Sequence, residues 1–326
     1  MSRALVFGKF MPLHHGHELV IDMAMLDNDA VTIVVYDSVV KDTPYGVMPV
    51  GKRMDWIEHL YPEAEAIVSV RDHIFDGTND DPTHAESYAR ELDFLGKFDV
   101  VYTSEPGYED FAKALNAEHF IVDAARAVYS ISGTEIRKNL YENRKWLDPY
   151  VYRSLIKKVV FVGTESTGKS TLAKAMAERH KTAWVHEFGR ELWEAQGLQG
   201  SFSDMLKIGR EQRRREDICA LHADTYLFCD TNAWTTYQWS LMAYGVADSR
   251  LLRLSYDNYI WIVCDNDFGW IQDGTRELDG DKSHNFQMQQ LDDLDDREIP
   301  YEVVNGDLED RMEQVDNILN KRKVRA

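Results

Sequence analysis

Short apolar stretches alternate with longer amphipathic segments along the whole chain. This alternation is typical of parallel β-sheets whose two faces are covered by helices. The apolar stretches predict strands in the first half of the chain at 4–7, 31–36, 67–70, 100–102 and 120–122. In the second half they predict strands at 159–162, 183–185, 226–230, 259–263 and 301–304. The pattern therefore predicts an α/β protein with two doubly wound parallel sheets.

Length and composition agree with two domains. A chain of 326 residues exceeds what one hydrophobic core usually organises, and 44% hydrophobic residues are enough for two cores. No linker rich in Pro, Gly or Ser separates the halves. We expect the boundary in the polar and aromatic stretch between Trp146 and Lys157, which gives domains at 1–150 and 157–326.

The net charge and the absence of long apolar runs indicate which partners the protein does not bind. A net charge of −19 argues against nucleic acid as the main partner, because phosphate contacts need a basic face. No apolar run approaches the length of a membrane span, and Met1 lies a few residues before the first strand without a secretory leader. We therefore expect a cytoplasmic protein that binds neither nucleic acid nor membrane.

The strongest motif follows the first predicted strand of the second half. Residues 163–170 read G-T-E-S-T-G-K-S, a complete phosphate loop with a helix-forming stretch behind it. The backbone N–H groups of such a loop, together with the helix N-terminus, form a site for phosphate oxygens. Lys169 is predicted to reach the β and γ phosphates and Ser170 to bind Mg²⁺. The other predicted nucleotide contacts of this motif are Gly163, Glu165, Ser166, Thr167, Gly168 and Thr171.

Further residues of the second half fit phosphoryl transfer. Glu187 is the candidate for orienting a substrate hydroxyl, although a surface carboxylate at a helix start is an alternative, and Arg190 follows one turn later for substrate or phosphate. Asp230 ends an apolar strand, where it is predicted to hold Mg²⁺ through water or to cap a helix. Arg276 lies in the polar segment 273–281, which suits a closing lid or an ordinary loop.

The first half of the chain contains a second group of residues that could bind phosphate. The turn 8–17, G-K-F-M-P-L-H-H-G-H, follows the first strand directly, at the place where open α/β sheets bind ligands. His14 and His17 can hydrogen-bond phosphate oxygens, and Gly16 allows close backbone approach. The segment 131–137, I-S-G-T-E-I-R, again offers hydroxyl groups at a helix start with an arginine inside.

The H-x-G-H and I-S-x-T-x-x-R motifs together resemble the nucleotidyltransferase superfamily of adenylyltransferases. The resemblance implies that a substrate phosphate attacks the α-phosphorus of ATP without a protein nucleophile. It implies that His14, His17 and Lys9 stabilise the developing charge, and that Arg137 shares this role. It further implies nucleotide contacts at Gly8, Phe10, Ser132 and Thr134.

Both halves together resemble the bifunctional NadR family, in which nicotinamide-nucleotide adenylyltransferase is joined to ribosylnicotinamide kinase. The resemblance covers nearly the whole chain: residues 8–17, 103–106, 122–126, 131–137, 163–170, 187–191, 230–232 and 270–276, with Arg53 and Trp56. It implies that the second domain phosphorylates nicotinamide riboside to nicotinamide mononucleotide (NMN). The first domain would join NMN to AMP from a second ATP, giving NAD and pyrophosphate. Each reaction implies Mg²⁺, and we expect a form without the N-terminal helix-turn-helix of some members.

Several assignments stay open at this stage. Arg53, Trp56 and Tyr88 are candidates for substrate binding, although the aromatic rings can equally fill the core. The segment 72–84 carries acidic residues and histidines and is predicted to be a polar loop rather than a metal site. The same two folds acting on another nucleoside, or an NAD-sensing protein without turnover, are the alternative functions. A homo-oligomer is possible from the sequence.

Overall fold

A computed structural model describes residues 1–37, 48–71, 82–197, 199–255, 259–266 and 280–325. The chain divides into two compact units, Met1–Tyr152 and Arg153–Arg325. No helix within these ranges is both long and apolar enough to cross a lipid bilayer.

Each predicted strand has a counterpart in the structure, so the predicted α/β fold class with two parallel sheets is confirmed. The strands of the first unit are β1 Arg3–Gly8, β2 Ala30–Asp37, β3 Ala66–Arg71, β4 Val100–Thr103 and β5 Glu118–Ile121. Those of the second unit are β6 Lys157–Val162, β7 Trp184–Val185, β8 Tyr226–Asp230, β9 Tyr259–Cys264 and β10 Tyr301–Val304.

Helices connect and cover the strands. The first unit contains α1 His15–Asp27, α2 Val50–Leu60, α3 Pro82–Glu91, α4 Glu109–Ala114, α5 Gly133–Lys138 and α6 Leu140–Asn143, and α7 Pro149–Leu155 spans the division between the units. The second unit contains α8 Lys169–His180, α9 Phe188–Ala195, α10 Phe202–Ala220, α11 Ala233–Tyr244, α12 Arg250–Leu254, α13 Gly280–Asp296 and α14 Leu308–Arg325. Short 3₁₀ turns lie at Asp93–Leu95, Pro106–Tyr108 and Arg144–Trp146.

The two sheets share one topological feature. The first has the strand order β3-β2-β1-β4-β5 and the second has β10-β9-β6-β8-β7, with all the described pairings parallel. In each sheet the first strand of the unit, β1 or β6, is central, and the chain moves outward from it in both directions. The loop that leaves the carboxyl end of that strand therefore lies at the point where strand order reverses, which is where such sheets bind ligands.

Separate cores stabilise the two sheets. In the first unit, Leu5 and Val34 pack with Phe111 beneath α3 and α4. In the second, Phe161 and Phe228 stack with ring centroids 6.1 Å apart and contact the buried faces of α8 and α14. Since each sheet buries its own apolar set, each positions its own central loop.

Candidate nucleotide-binding sites

The turn after β1 is held by the histidines of the H-x-G-H motif. His14 is the N-cap of α1, and its ring nitrogen Nδ1 accepts a hydrogen bond of 3.1 Å from the backbone N–H of Gly16. A side chain at Gly16 would lie 3.0 Å from the His14 ring, which explains the glycine. The cap fixes His14 against the first turn of the helix, where backbone N–H groups favour an anion.

The two histidine rings stack on each other. The centroids of His14 and His17 are 3.7 Å apart, and the Phe10 ring lies edge-on to His17 at 5.0 Å. Burial, aided by the positive charge of Arg126, lowers the pKa of His14 to about 4 and that of His17 well below its usual value. Both rings are therefore neutral at neutral pH and act as hydrogen-bonding groups, and Nδ1 of His17 is buried without a partner among the described residues.

The I-S-G-T-E-I-R segment closes against this turn. Ser132 is the N-cap of α5 and accepts from the N–H of Glu135 at 3.2 Å. Arg137 crosses to the turn, where its Nη1 donates to the carbonyl of Met11, and its Nη2 donates to Thr134 Oγ1 at 3.0 Å. A Cβ at Gly133 would lie 2.7 Å from the same Met11 carbonyl. The two motifs, more than a hundred residues apart in sequence, thus meet in space.

A preformed loop brings Arg126 to the same region. The Asp123 carboxylate accepts from the N–H groups of Ala127, Val128 and Tyr129 at 2.6, 3.0 and 3.3 Å. Asp123 and Arg126 both adopt left-handed backbone conformations, with φ of 50° each. Arg126 lies in the segment 122–126 that carries the family resemblance, but it was not among the candidate site residues. Its effect on the pKa values of His14 and His17 indicates that it lies near them.

The remaining candidates of the first unit differ in exposure. Arg53 is fully buried and donates to the carbonyls of Lys9, Tyr36 and Met48 at 2.6–2.9 Å, so it anchors the turn after β1. Trp56 is also fully buried. The Tyr88 ring is partly buried and packs edge-on against Tyr36 at 5.2 Å, at the margin of the core of this unit. In this conformation Trp56 is a core residue and Tyr88 packs against the core.

The phosphate loop of the second unit has the expected backbone form. Gly163, Ser166 and Gly168 adopt left-handed or related conformations with φ of 136°, 69° and 79°. A side chain at Gly163 would lie 2.8 Å from the Cys264 carbonyl, so only glycine fits there. Lys169, the first residue of α8, donates from Nζ to the Thr164 carbonyl at 2.6 Å.

Two carboxyl groups lie beside this loop. Asp230 at the end of β8 is 1% exposed, and neither of its oxygens meets strict hydrogen-bond geometry in the described part of the chain, although the Ser170 hydroxyl lies close enough to lower its pKa. Burial, together with the charge of Asp230, raises the pKa of Glu187 to about 7, and burial also raises that of Asp230. Lys169 and Arg190 act in the opposite direction on both groups. This arrangement suits a group that accepts a proton and a group that binds a cation.

A pocket opens next to the loop and has a volume of about 760 Å³, including the part open to solvent. It is lined by Glu165, Lys169, Glu187, Gly189, Arg190, Trp193, Glu194, Met205, Ile208, Thr235, Thr236 and Trp239. Trp193 and Trp239 meet edge-on with centroids 6.3 Å apart. The sequence motifs had indicated Glu165, Lys169, Glu187 and Arg190, whereas the aromatic and apolar walls come from α9, α10 and α11 and carry no contiguous motif.

The remaining candidates are part of α8 or lie away from the two sites. Arg276 and residues 72–81 lie outside the described residues, and residues 82–84, predicted as the end of a polar loop, begin α3 instead. Ser170 and Thr171 lie in the first turn of α8, where Ser170 is partly buried and Thr171 is exposed. Within the described ranges, no group of three or more His, Cys, Asp or Glu side chains is arranged to hold a metal ion.

Family models match each unit separately. A cytidylyltransferase-like model matches residues 5–139, and an AAA domain model matches residues 158–311. The trifunctional NAD biosynthesis/regulator protein NadR of Escherichia coli is 28% identical over 298 residues, covering 84% of this chain and 71% of the relative. The nicotinamide-nucleotide adenylyltransferase of Methanolobus tindarius is 27% identical over 149 residues, covering 45% of this chain and 81% of the relative.

Solved structures share the fold. A crystal structure of NadR protein in complex with NR aligns with a TM-score of 0.56 at 22% identity, and one in complex with NAD and AMP-PNP with 0.55 at 20%. Each covers 94% of this chain and 91% of the solved chain. A cytidylyltransferase-like unit precedes a phosphate-loop unit, and the chain is similar to NadR proteins over most of its length.

Proposed function

We propose that the chain is a bifunctional enzyme of NAD salvage that uses ATP at two sites. The second unit would phosphorylate nicotinamide riboside to NMN, and the first would convert NMN to NAD and pyrophosphate. The observation that carries the proposal is the presence, in a chain similar to NadR over most of its length, of two distinct clusters suited to binding phosphate. Each cluster lies at the reversal point of its own sheet.

In the kinase reaction, the 5′-oxygen of the riboside attacks the γ-phosphorus of ATP, and the bond from that phosphorus to the β-bridging oxygen breaks. Glu187 accepts the hydroxyl proton, for which a pKa near neutrality is well suited. The ammonium group of Lys169 leaves the Thr164 carbonyl and binds oxygens of the β and γ phosphates, whose negative charge it stabilises. Arg190 lies at the pocket wall and assists with substrate or phosphate.

The pocket wall fits a cationic base. Nicotinamide riboside carries a positively charged pyridinium ring, which neutral nucleosides lack. Glu165, Glu187 and Glu194 supply negative charge, while Trp193 and Trp239 offer ring faces that attract a cation. This combination supports a riboside with a charged base as the substrate.

Mg²⁺ fits the residues beside the phosphate loop. The buried Asp230 carboxylate and the nearby Ser170 hydroxyl are oxygen donors of the kind this ion prefers. Asp230 would hold the ion through water and Ser170 directly. When bound, the ion neutralises triphosphate charge that this acidic chain would otherwise repel.

In the adenylyl transfer, a phosphate oxygen of NMN attacks the α-phosphorus of ATP, and pyrophosphate leaves from the opposite side. His14 and His17 are neutral before ATP arrives. Because Nδ1 of His14 accepts from Gly16, its Nε2 carries the ring proton and can donate it in a hydrogen bond to a phosphate oxygen. Arg126 and Arg137 supply the positive charge, with Lys9 in the same turn. The first unit thus works by positioning and electrostatics.

Product analysis of two single variants tests the proposal. The purified chain is incubated with ATP, Mg²⁺ and either nicotinamide riboside or NMN. Lys169→Ala should abolish NMN formation from the riboside and retain NAD formation from NMN, and His17→Ala should do the reverse. Turnover of a different nucleoside, or ligand binding without any product in the wild-type chain, would contradict the proposal.

A further inference from the structure

The side chain of Arg311 ties three separate backbone segments together. Arg311 lies in the first turn of α14 and is 1% exposed. Its Nε donates to the carbonyl of Gly306 at 2.8 Å, its Nη1 to Thr167 at 2.6 Å and its Nη2 to Asp265 at 3.0 Å. One guanidinium therefore joins the phosphate loop to the ends of β9 and β10.

The phosphate loop has a specific need for such donors. Its N–H groups must point toward the anion, so its carbonyls must find partners elsewhere. The Thr164 carbonyl accepts from Thr167 Oγ1 at 3.0 Å and from Lys169, and Ser283 of α13 donates to Thr164 Oγ1 at 3.1 Å. When Lys169 turns to a phosphate, the Thr164 carbonyl loses one of these donors.

Arg311 donates to a second carbonyl of the loop, that of Thr167, and ATP phosphates have no need of this donor because Arg311 is buried. The carbonyl of Thr167 that accepts this bond belongs to the peptide that joins Thr167 to Gly168. Gly168 is left-handed and is the N-cap of α8. This bond fixes the orientation of the peptide that leads into Gly168 and hence the start of α8. A lysine at this position could donate only from a single point, whereas the planar fork of arginine reaches three carbonyls.

We propose that Arg311 is a positioning residue that holds the phosphate loop of the second unit in its nucleotide-binding form. It acts on the nucleotide through Thr167 and the start of α8 and makes no contact with the reacting atoms. The inference rests on the proposed function only in requiring ATP at this loop, whatever the phosphoryl acceptor is.

The test measures ADP formation, because adenylyl transfer in the first unit releases pyrophosphate instead. The rate is followed against ATP concentration in the full-length chain, with and without nicotinamide riboside. Arg311→Gln should raise the KM for ATP by about ten- to a hundredfold, as expected when a binding element shifts by about an ångström. The KM for the riboside and the rate of NAD formation from NMN should stay within about twofold.

Val315→Ala is the matched control. Val315 is fully buried one turn further along α14 and contributes to the same core, but it has no hydrogen bond to the loop. Its truncation should lower the melting temperature and leave the KM for ATP unchanged. If Arg311→Gln changes the KM for ATP no more than Val315→Ala does at a similar melting temperature, Arg311 is merely structural and the inference is overturned.

Failure of the variant to fold and failure of the kinase proposal can both be distinguished from failure of the inference. If Arg311→Gln does not fold, Arg311→Lys is measured in the same way, and an unchanged KM for ATP in that folded variant overturns the inference. If the wild-type chain forms ADP but no NMN, the riboside kinase proposal fails. The Arg311 comparison then continues on ADP formation without riboside.

Discussion

The contact between the two motifs of the first unit predicts a strong effect for Gly133→Ala. The added methyl group would lie 2.7 Å from the Met11 carbonyl oxygen and 3.2 Å from Nη1 of Arg137. Real Cβ atoms do not approach backbone oxygen so closely, so α5 and the turn after β1 must separate. That separation breaks the hydrogen bond from Arg137 to Met11 and moves His14 away from Arg137.

The expected loss follows from the cost of overpacking. Inserting one methylene into a closely packed site costs about 1–3 kcal/mol. If the closed arrangement of the two motifs is required in the transition state, that whole cost appears in kcat/KM. The result is a decrease of about 5- to 160-fold in NAD formation from NMN. Phosphorylation of the riboside should not change, because the phosphate loop belongs to the other unit.

Gly51→Ala is the control within the same unit. Gly51 lies in α2 with open space where a Cβ would be, so alanine there should leave adenylyl transfer unchanged and stabilise the helix by up to about 1 kcal/mol. Initial rates of both reactions are measured for the three proteins at matched concentration. If Gly133→Ala has wild-type kcat/KM for NAD formation, the two motifs do not meet as described.

Three further outcomes are expected. Because the pKa of His14 is about 4 when folded and 6.5 in the reference state, the unfolded chain binds the extra proton first, so stability falls as pH drops from about 6.5 toward 4. By pH 5 the free energy of unfolding should have fallen by about 2 kcal/mol. Denaturant titrations at pH 7 and pH 5 measure this decrease, which should be smaller in His14→Asn than in the wild type because asparagine also caps the helix but does not titrate. Glu187→Gln should lower riboside phosphorylation by about 10²- to 10⁴-fold without affecting NAD formation from NMN, and equal losses in both assays would argue against Glu187 as the base. Lys158→Met removes the ammonium group 3.2 Å from the buried Glu216 carboxylate, which among the described residues keeps only the hydrogen bond from Tyr259. This change should lower the free energy of unfolding by about 3–5 kcal/mol, whereas the exposed Lys174→Met should change it little.

The sequence predicted the fold well because the inner strands of both parallel sheets are buried on both faces. β2, β8 and β9 are short, mostly apolar runs, whereas the edge strands β5 and β10 are largely exposed. The bounds differ mostly by one or two residues at strand ends. β7 is the weakest, with two residues observed against three predicted, since an edge strand gains few pairing partners.

Some candidate site residues are contiguous in the sequence, whereas others are brought together only by the packing of helices. The phosphate loop and the turn after β1 are contiguous, so their residues can be read directly from spacing. The kinase pocket is assembled from three helices, and Trp193 and Trp239 become neighbours only through the packing of α9 against α10 and of α10 against α11. Arg126 likewise lies near the histidines because of a loop that the Asp123 carboxylate holds through three backbone N–H groups, an arrangement that no motif announces.

The sequence did not predict which of the arginine side chains are buried. Arg53 and Arg311 are the same residue type as Arg137, and all three lie on helices beside a ligand loop. The structure makes Arg53 and Arg311 fully buried donors to backbone carbonyls and leaves Arg137 partly accessible. The exposure of an arginine depends on which carbonyls lack other donors, and that is a tertiary property.

The loop held by Asp123 has a kinetic consequence. Its three backbone hydrogen bonds and two left-handed residues exist before any nucleotide arrives, so Arg126 is already restrained when ATP diffuses in. Ordering a flexible loop upon binding costs about 1–2 kcal/mol per residue in backbone entropy, and here that cost is met during folding. ATP should therefore associate with the first unit in a single fast step, without a slower phase of loop ordering.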